Sequence, residues 1–154
     1  MFSTRLFCLT VFLVTTFLIG CSSGDPEKEP VILGKIELSD GWARPAAQGQ
    51  SSAVYMSISN GTASRDSISN IASPIAANAG IHETYKGENG IIGMRPAPGQ
   101  VIPSGEDLYF KPNGLHIMLM KLKEDLAVGD SIDVDITFNR VGTHSIRVPV
   151  KVQQ

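Results

Sequence analysis

The soft donor side chains of this 154-residue chain are few and unevenly placed. Beyond the initiator, methionine occurs at Met56, Met94, Met118 and Met120, and histidine at His82, His116 and His144. Three of these seven fall at every second position of "GLHIMLM", Gly114 to Met120. Alternate side chains of a strand share a face, so His116, Met118 and Met120 would face one way and Leu115, Ile117 and Leu119 the other. Thioether and imidazole suit monovalent copper, whereas calcium and magnesium require oxygen ligands that this set lacks. Residues two apart lie about 6.6 Å along a strand, and flexible side chains can converge on one ion between them. Taken alone, the heptapeptide equally fits a strand buried on both faces, with methionine filling gaps and His116 hydrogen-bonded.

The remaining donors divide by context. His82 in "GIHETYK" lies opposite Ile81 and Tyr85 and shares its face with Thr84 and Lys86, an arrangement common for a solvated histidine. Met94 in "GMRPAPG" precedes a proline-rich loop where an apolar side chain has no obvious core to join, which favours a functional role. His144 shares a face with Ile146, Val148 and Val150 and reads as a satisfied core-edge histidine. Met56 alternates with Val54 and Ile58 and reads as core. Asp133 and Asp135 alternate with apolar residues, the pattern of a solvated strand face and not of an acid–base pair. A nucleophile elbow, a phosphate-cradling glycine loop and a His–Glu–x–x–His pair are all missing from the sequence, so no enzyme is expected.

Strands must position these donors. Period-2 alternation recurs in "AVYMSIS", "SIDVDITF" and "THSIRVPVKV", with shorter candidates in "GKIELS", "DSISNI", "GIIGM" and "DLYFK". Turn signals such as "NGTAS", "GENG", "KPNG" and "AVGD" separate them. The expected fold is a single all-β domain over residues 31–154, an antiparallel sandwich or small barrel with Greek-key links. A net charge of −2 gives no basic footprint and argues against a nucleic-acid partner.

The N-terminus reads as an export signal. Arg5 precedes an apolar run from Leu6 to Gly20, shorter than the roughly 20 residues a membrane-spanning helix needs. The run ends in "LIGC", Leu18 to Cys21, which resembles the lipobox of bacterial lipoproteins. That resemblance implies a signal peptide over residues 1–20 and a lipidated Cys21. Residues 21–30 would then form a flexible tether through "SSGDPEKEP". Losing residues 1–20 removes one arginine and no acid, leaving 12 basic against 15 acidic residues, net −3. It also removes Cys8, so the mature domain would carry neither a free thiol nor a disulfide. The lipid would hold the domain on the periplasmic side of a bacterial membrane, the outer membrane being favoured by Ser22 if the cell is Gram-negative.

The spacing of His82, Met94, His116 and Met118, at intervals of 12, 22 and 2, resembles the signature of the PCu(A)C family of periplasmic copper chaperones. "GWARP", "AVYMSISN" and "GLHIMLMKLK" also look like family segments, so the resemblance spans about Gly34 to Val150. It implies a cupredoxin-like Greek-key β-sandwich that binds Cu(I) through His82, Met94, His116 and Met118 near one end of the sandwich. It further implies copper delivery toward the CuA centre of cytochrome c oxidase, alongside a Sco-type protein. The methionine that often follows the first family histidine is Glu83 here, which puts an auxiliary contact at that position in doubt. Met120 shares the face of His116 and Met118 and could supply a spare thioether.

A neutral set of two imidazoles and two thioethers favours Cu(I) over Cu(II) and, without a thiolate, should bind less tightly than cysteine-based acceptors. Protons compete with copper for the imidazoles, so binding should weaken in acid. A blue-copper electron carrier would need a cysteine thiolate that the mature domain lacks. The alternative function is a lipid-anchored binding or scaffold module without metal.

Overall fold

The computed structural model describes residues 31–33 and 36–152. The proposed signal peptide, Cys21 and tether lie outside the described residues. Eleven strands follow one another: β1 (Val31–Leu33), β2 (Ile36–Ala43), β3 (Ser52–Asn60), β4 (Asp66–Ala72), β5 (Ala76–Lys86), β6 (Ile92–Pro96), β7 (Val101–Ile102), β8 (Asp107–Phe110), β9 (Leu115–Leu122), β10 (Ser131–Phe138) and β11 (Gly142–Pro149). One 3₁₀ turn, Glu88–Gly90, lies between β5 and β6.

The strands form two antiparallel sheets. The larger runs β1-β2-β3-β9-β5-β6, with β8 pairing β3 beyond the reach of β9; the smaller runs β11-β10-β4-β7. β9, late in the chain, is thus inserted between β3 and β5. The expected all-β sandwich is present, and the alternation that announced it is its packing rule. Ile132, Val134, Ile136 and Phe138 of β10 are buried, while Asp133 is exposed and Asp135 accepts a hydrogen bond from Ser145 Oγ. Val54, Met56 and Ile58 of β3 join Ile81 of β5 and Ile117 and Leu119 of β9 in the same core.

Two local devices change the phase of the alternation. Asp40 has φ 54° and sits in a bulge where the β2–β3 register shifts between Ser39 and Trp42. The extra residue re-aims the strand. Ile36 and Leu38 face the core before it and Ala43 after it, so Trp42 emerges opposite Tyr55, ring centroids 4.7 Å apart. Lys121, with φ 53°, similarly precedes the buried Leu122 at the end of β9. Neither was foreseen, nor was the two-residue β7. The last strand also stops sooner than its alternation implied: β11 ends at Pro149, Val150 makes a parallel bridge to Ala43, and Val152 is exposed.

Buried polar side chains tie down the turns. Asn60 donates from Nδ2 to the carbonyls of Ser64 and Ile102, and its Oδ1 accepts from Thr62. On the surface, Ser59 and Tyr109 both donate to the carboxylate of Asp107, at 2.6 and 2.7 Å. These bonds, that of Ser59 foremost, hold the Asp107 carboxyl below its ordinary value. Because they favour the ionised form in the folded state, their contribution is present above the unfolded-state pKa and disappears as pH falls through the depressed one. An NMR titration should find the Asp107 carboxyl below the usual aspartate range, and Ser59→Ala should move it upward. A second expectation concerns Ile117, fully buried between His116 and Met118. Ile117→Ala should lower stability by about 2–5 kcal/mol, read from the denaturant midpoint.

Candidate metal centre

The pairing of β5 with β9 sets the site. His82 is directly opposite His116, Gly80 opposite Met118, and Ile81 opposite Ile117. Directly opposed residues share a face with Cβ atoms about 4.5–5.5 Å apart. The isoleucines enter the core, so both histidines and Met118 stand on the outer face of the larger sheet. β6 continues this face, where Met94 is opposite Thr84. On the other flank, β3 adds Ala53 opposite Met118, and Tyr55 two residues on. The heptapeptide therefore buries Ile117 and Leu119 on one face and His116 on the other, where Met118 and Met120 are half-buried.

Hydrogen bonding orients His116. The residue is 4% exposed, and its Nδ1 lies 3.0 Å from the carbonyl oxygen of Gly114. A carbonyl only accepts, so Nδ1 carries the proton and Nε2 keeps a free lone pair. That Nε2 is buried and has no hydrogen-bond partner among the described residues. The same holds for Nδ1 of His82. Buried polar atoms normally find partners, and two orphaned imidazole nitrogens on facing residues call for a ligand. The rings are 6.2 Å apart between centroids and inclined by 26°. Imidazole–metal bonds of about 2 Å from each ring span a separation of this order. A backbone carbonyl holding the second ring nitrogen is also the usual support of a metal-ligating histidine.

A cleft of about 380 Å³ opens on this face, and His116, Met118 and Met94 line it together with Tyr55 and Ile92. Arg44 and Pro45 border it from the loop after β2, Pro112 and Asn113 from the turn before β9. The donors thus lie on a sheet face, with His116 second in β9, next to the turn that carries Pro112 and Asn113. Tyr55 backs His116 with its ring, centroids 6.5 Å apart. Met94 is 58% exposed, in the middle of a strand that runs through Pro96, not at the start of a loop. Among the described residues no group of three or more His, Cys, Asp or Glu side chains could cage a harder ion.

The other candidates separate cleanly. Met56 is buried in the core, opposite Phe110. His144 lies in the smaller sheet, its Nε2 2.9 Å from the Val141 carbonyl. His82 does not line the cleft and joins the site through its pairing with His116, whereas Met120, on the face of Met118, pairs with Asn78 roughly 13 Å along the strand and is also outside the cleft lining. Glu83 points to the opposite face, where its carboxylate meets Arg95 Nε at 2.5 Å. Arg95 in turn covers the Tyr85 ring, 5.2 Å from its centroid, and Tyr85 lies over Gly93, where an added Cβ would come within 2.8 Å of the ring. Trp42 and Tyr55 are the neighbours that sequence reasoning missed, because the Asp40 bulge hides their shared face.

Residues 36–150 match the sequence profile described as LpqE-like, a lipoprotein family. The chain belongs to the LpqE-like family. The chain is also similar to Lxx21020 of Leifsonia xyli subsp. xyli, named as a lipoprotein, at 32% identity over 157 residues, covering 97% of this chain and 92% of that protein. This chain shares its fold with solved PCuAC domains. The apo PCuAC domain from PmoF1 superposes with a TM-score of 0.68 at 21% identity, over 80% of this chain and 99% of that one. The copper-bound PCuAC domain from PmoF2 gives 0.67 at 18% identity, over 80% and 98%. The solution structure of CuI-DR1885 from Deinococcus radiodurans gives 0.57 at 26% identity, over 74% and 78%.

The placement of Glu83 makes a specific prediction. An exposed ion pair contributes about 0–1 kcal/mol, and this one stands on the far side of the sheet from the imidazoles. Glu83→Gln should leave metal affinity within twofold of the parent in a chelator competition and shift the unfolding midpoint only slightly.

Proposed function

We propose that this protein is an extracytoplasmic copper chaperone that carries Cu(I) on His82, His116, Met94 and Met118. The observation that carries the proposal is the pair of buried, unpartnered imidazole nitrogens on directly opposed residues, one of which, His116, lines a cleft together with Met94 and Met118. A neutral, soft and borderline donor set favours Cu(I) and disfavours the hard cations. The PCuAC fold, including a copper-bound domain and the Cu(I) form of DR1885, supports the same assignment.

Each residue has a distinct part. His116, fixed by the Gly114 carbonyl, presents Nε2 as a ready-made ligand. His82 brings the second nitrogen from the facing strand. Met118 contributes sulfur from the cleft wall, and Met94 from the exposed rim, where an incoming acceptor could displace it first. Stepwise exchange of a thioether for a stronger thiolate would pass copper on without releasing it to water. The acceptor we favour is the CuA subunit of cytochrome c oxidase, reached with a Sco-type protein. Lipidation at Cys21 would keep the domain on a membrane near such partners, in keeping with the lipoprotein family to which it belongs.

Titration of the purified protein with Cu(I) against a chromophoric chelator tests the assignment. One ion per chain is expected, with His116→Ala and Met118→Ala each weakening binding at least tenfold. One-to-one binding unchanged by both substitutions would contradict it. A metal-free scaffold would take up no copper at all.

A further inference from the structure

The methionines differ sharply in access. Met56 is 2% exposed, Met118 and Met120 are half-buried, and Met94 is 58% exposed. Met94 also occupies the outermost strand of the larger sheet. The bonds Gly87 N–H to Ile91 C=O, 2.7 Å, and Ala97 N–H to Ile81 C=O, 2.8 Å, bracket the β5–β6 ladder. In an antiparallel ladder this phase turns the backbone of Ile91, Gly93, Arg95 and Ala97 inward, and that of Ile92, Met94 and Pro96 off the sheet edge. No strand among the described residues covers that edge. The neighbouring Ile92 is itself 69% exposed. Both cysteines precede the described domain, so no thiol within it competes for oxidant.

We propose that Met94 is a site of sulfoxide formation by peroxide-class oxidants, and that its oxidation disarms the cleft. The thioether sulfur attacks one peroxide oxygen; an S–O bond forms and the O–O bond breaks. Sulfur gives up two electrons, and the departing hydroxide takes the proton of the newly sulfur-bound oxygen to become water. The product is a polar sulfoxide whose outward atom is a hard oxygen, poorly matched to Cu(I). Methionine sulfoxide reductases reverse the change. The disarming step rests on the copper assignment proposed above, whereas the selectivity for Met94 rests on exposure alone.

Peptide mass mapping after graded hydrogen peroxide treatment tests both parts. Met94 should gain one oxygen first, Met118 and Met120 later and Met56 last. Protein oxidised only at Met94 should bind Cu(I) at least tenfold more weakly in the chelator competition, and treatment with both sulfoxide reductases should restore binding. Oxidation of Met118 or Met120 before Met94, or unaltered Cu(I) affinity of the Met94 sulfoxide, overturns the proposal. Failure of the untreated protein to bind Cu(I) overturns the disarming step together with the copper assignment, and is recognisable because it precedes any oxidant.

Discussion

The candidate site depends on one constraint, the register of β9 against β5. With Ile81 opposite Ile117, both isoleucines enter the core and both histidines leave it on the same side. A slip of one residue would send one strand's donors into the core and its isoleucine to the outer face. Burial of Ile81, Ile117 and Leu119 therefore fixes the positions of His82, His116 and Met118 without any contact to metal. The hydrophobic effect chooses the register, and the donor geometry follows from it. Both nitrogens are thereby positioned by the fold itself, each buried and without a hydrogen-bond partner among the described residues.

Rigidity is graded across that site. His116 is buried, braced by Tyr55 and bonded to the Gly114 carbonyl. That carbonyl also accepts the Thr84 N–H, so the turn before β9 is tied to the strand that carries His82. At the other extreme Met94 has little packing around it on an uncovered edge. A carrier needs both properties: a preorganised part that recognises the ion, and an open part through which the ion can leave. The opposite face of the same strands is occupied by Glu83, Arg95 and Tyr85, which steady β6 over Gly93 without entering the cleft.

Much of this was legible in the sequence because strand alternation encodes both burial and face. The core of β10, the division of "LHIMLM", the core role of Met56 and the local hydrogen bond of His144 all follow from period-2 reasoning with simple donor chemistry. What escaped it depends on breaks in that period or on three-dimensional order. The Asp40 bulge inverts the alternation of β2, so Trp42 beside Tyr55 cannot be foreseen from spacing. The insertion of β9 between β3 and β5 is a topological fact that no local pattern carries. It is also what separates Met120 from the cleft, since cross-strand partners rather than shared parity decide which donors meet. The resemblance to copper chaperones supplied the quartet of donors, and the strand pairing supplies a physical reason for two of them to stand together.

The central claim is that imidazole nitrogen and thioether sulfur bind one copper ion in this cleft. X-ray absorption at the copper edge of the Cu(I)-loaded protein addresses it most directly, since sulfur and nitrogen scatterers are distinguished by their distance and phase. A single site with two nitrogen and two sulfur neighbours is the predicted result. A first shell of nitrogen and oxygen alone, without sulfur, would contradict the account.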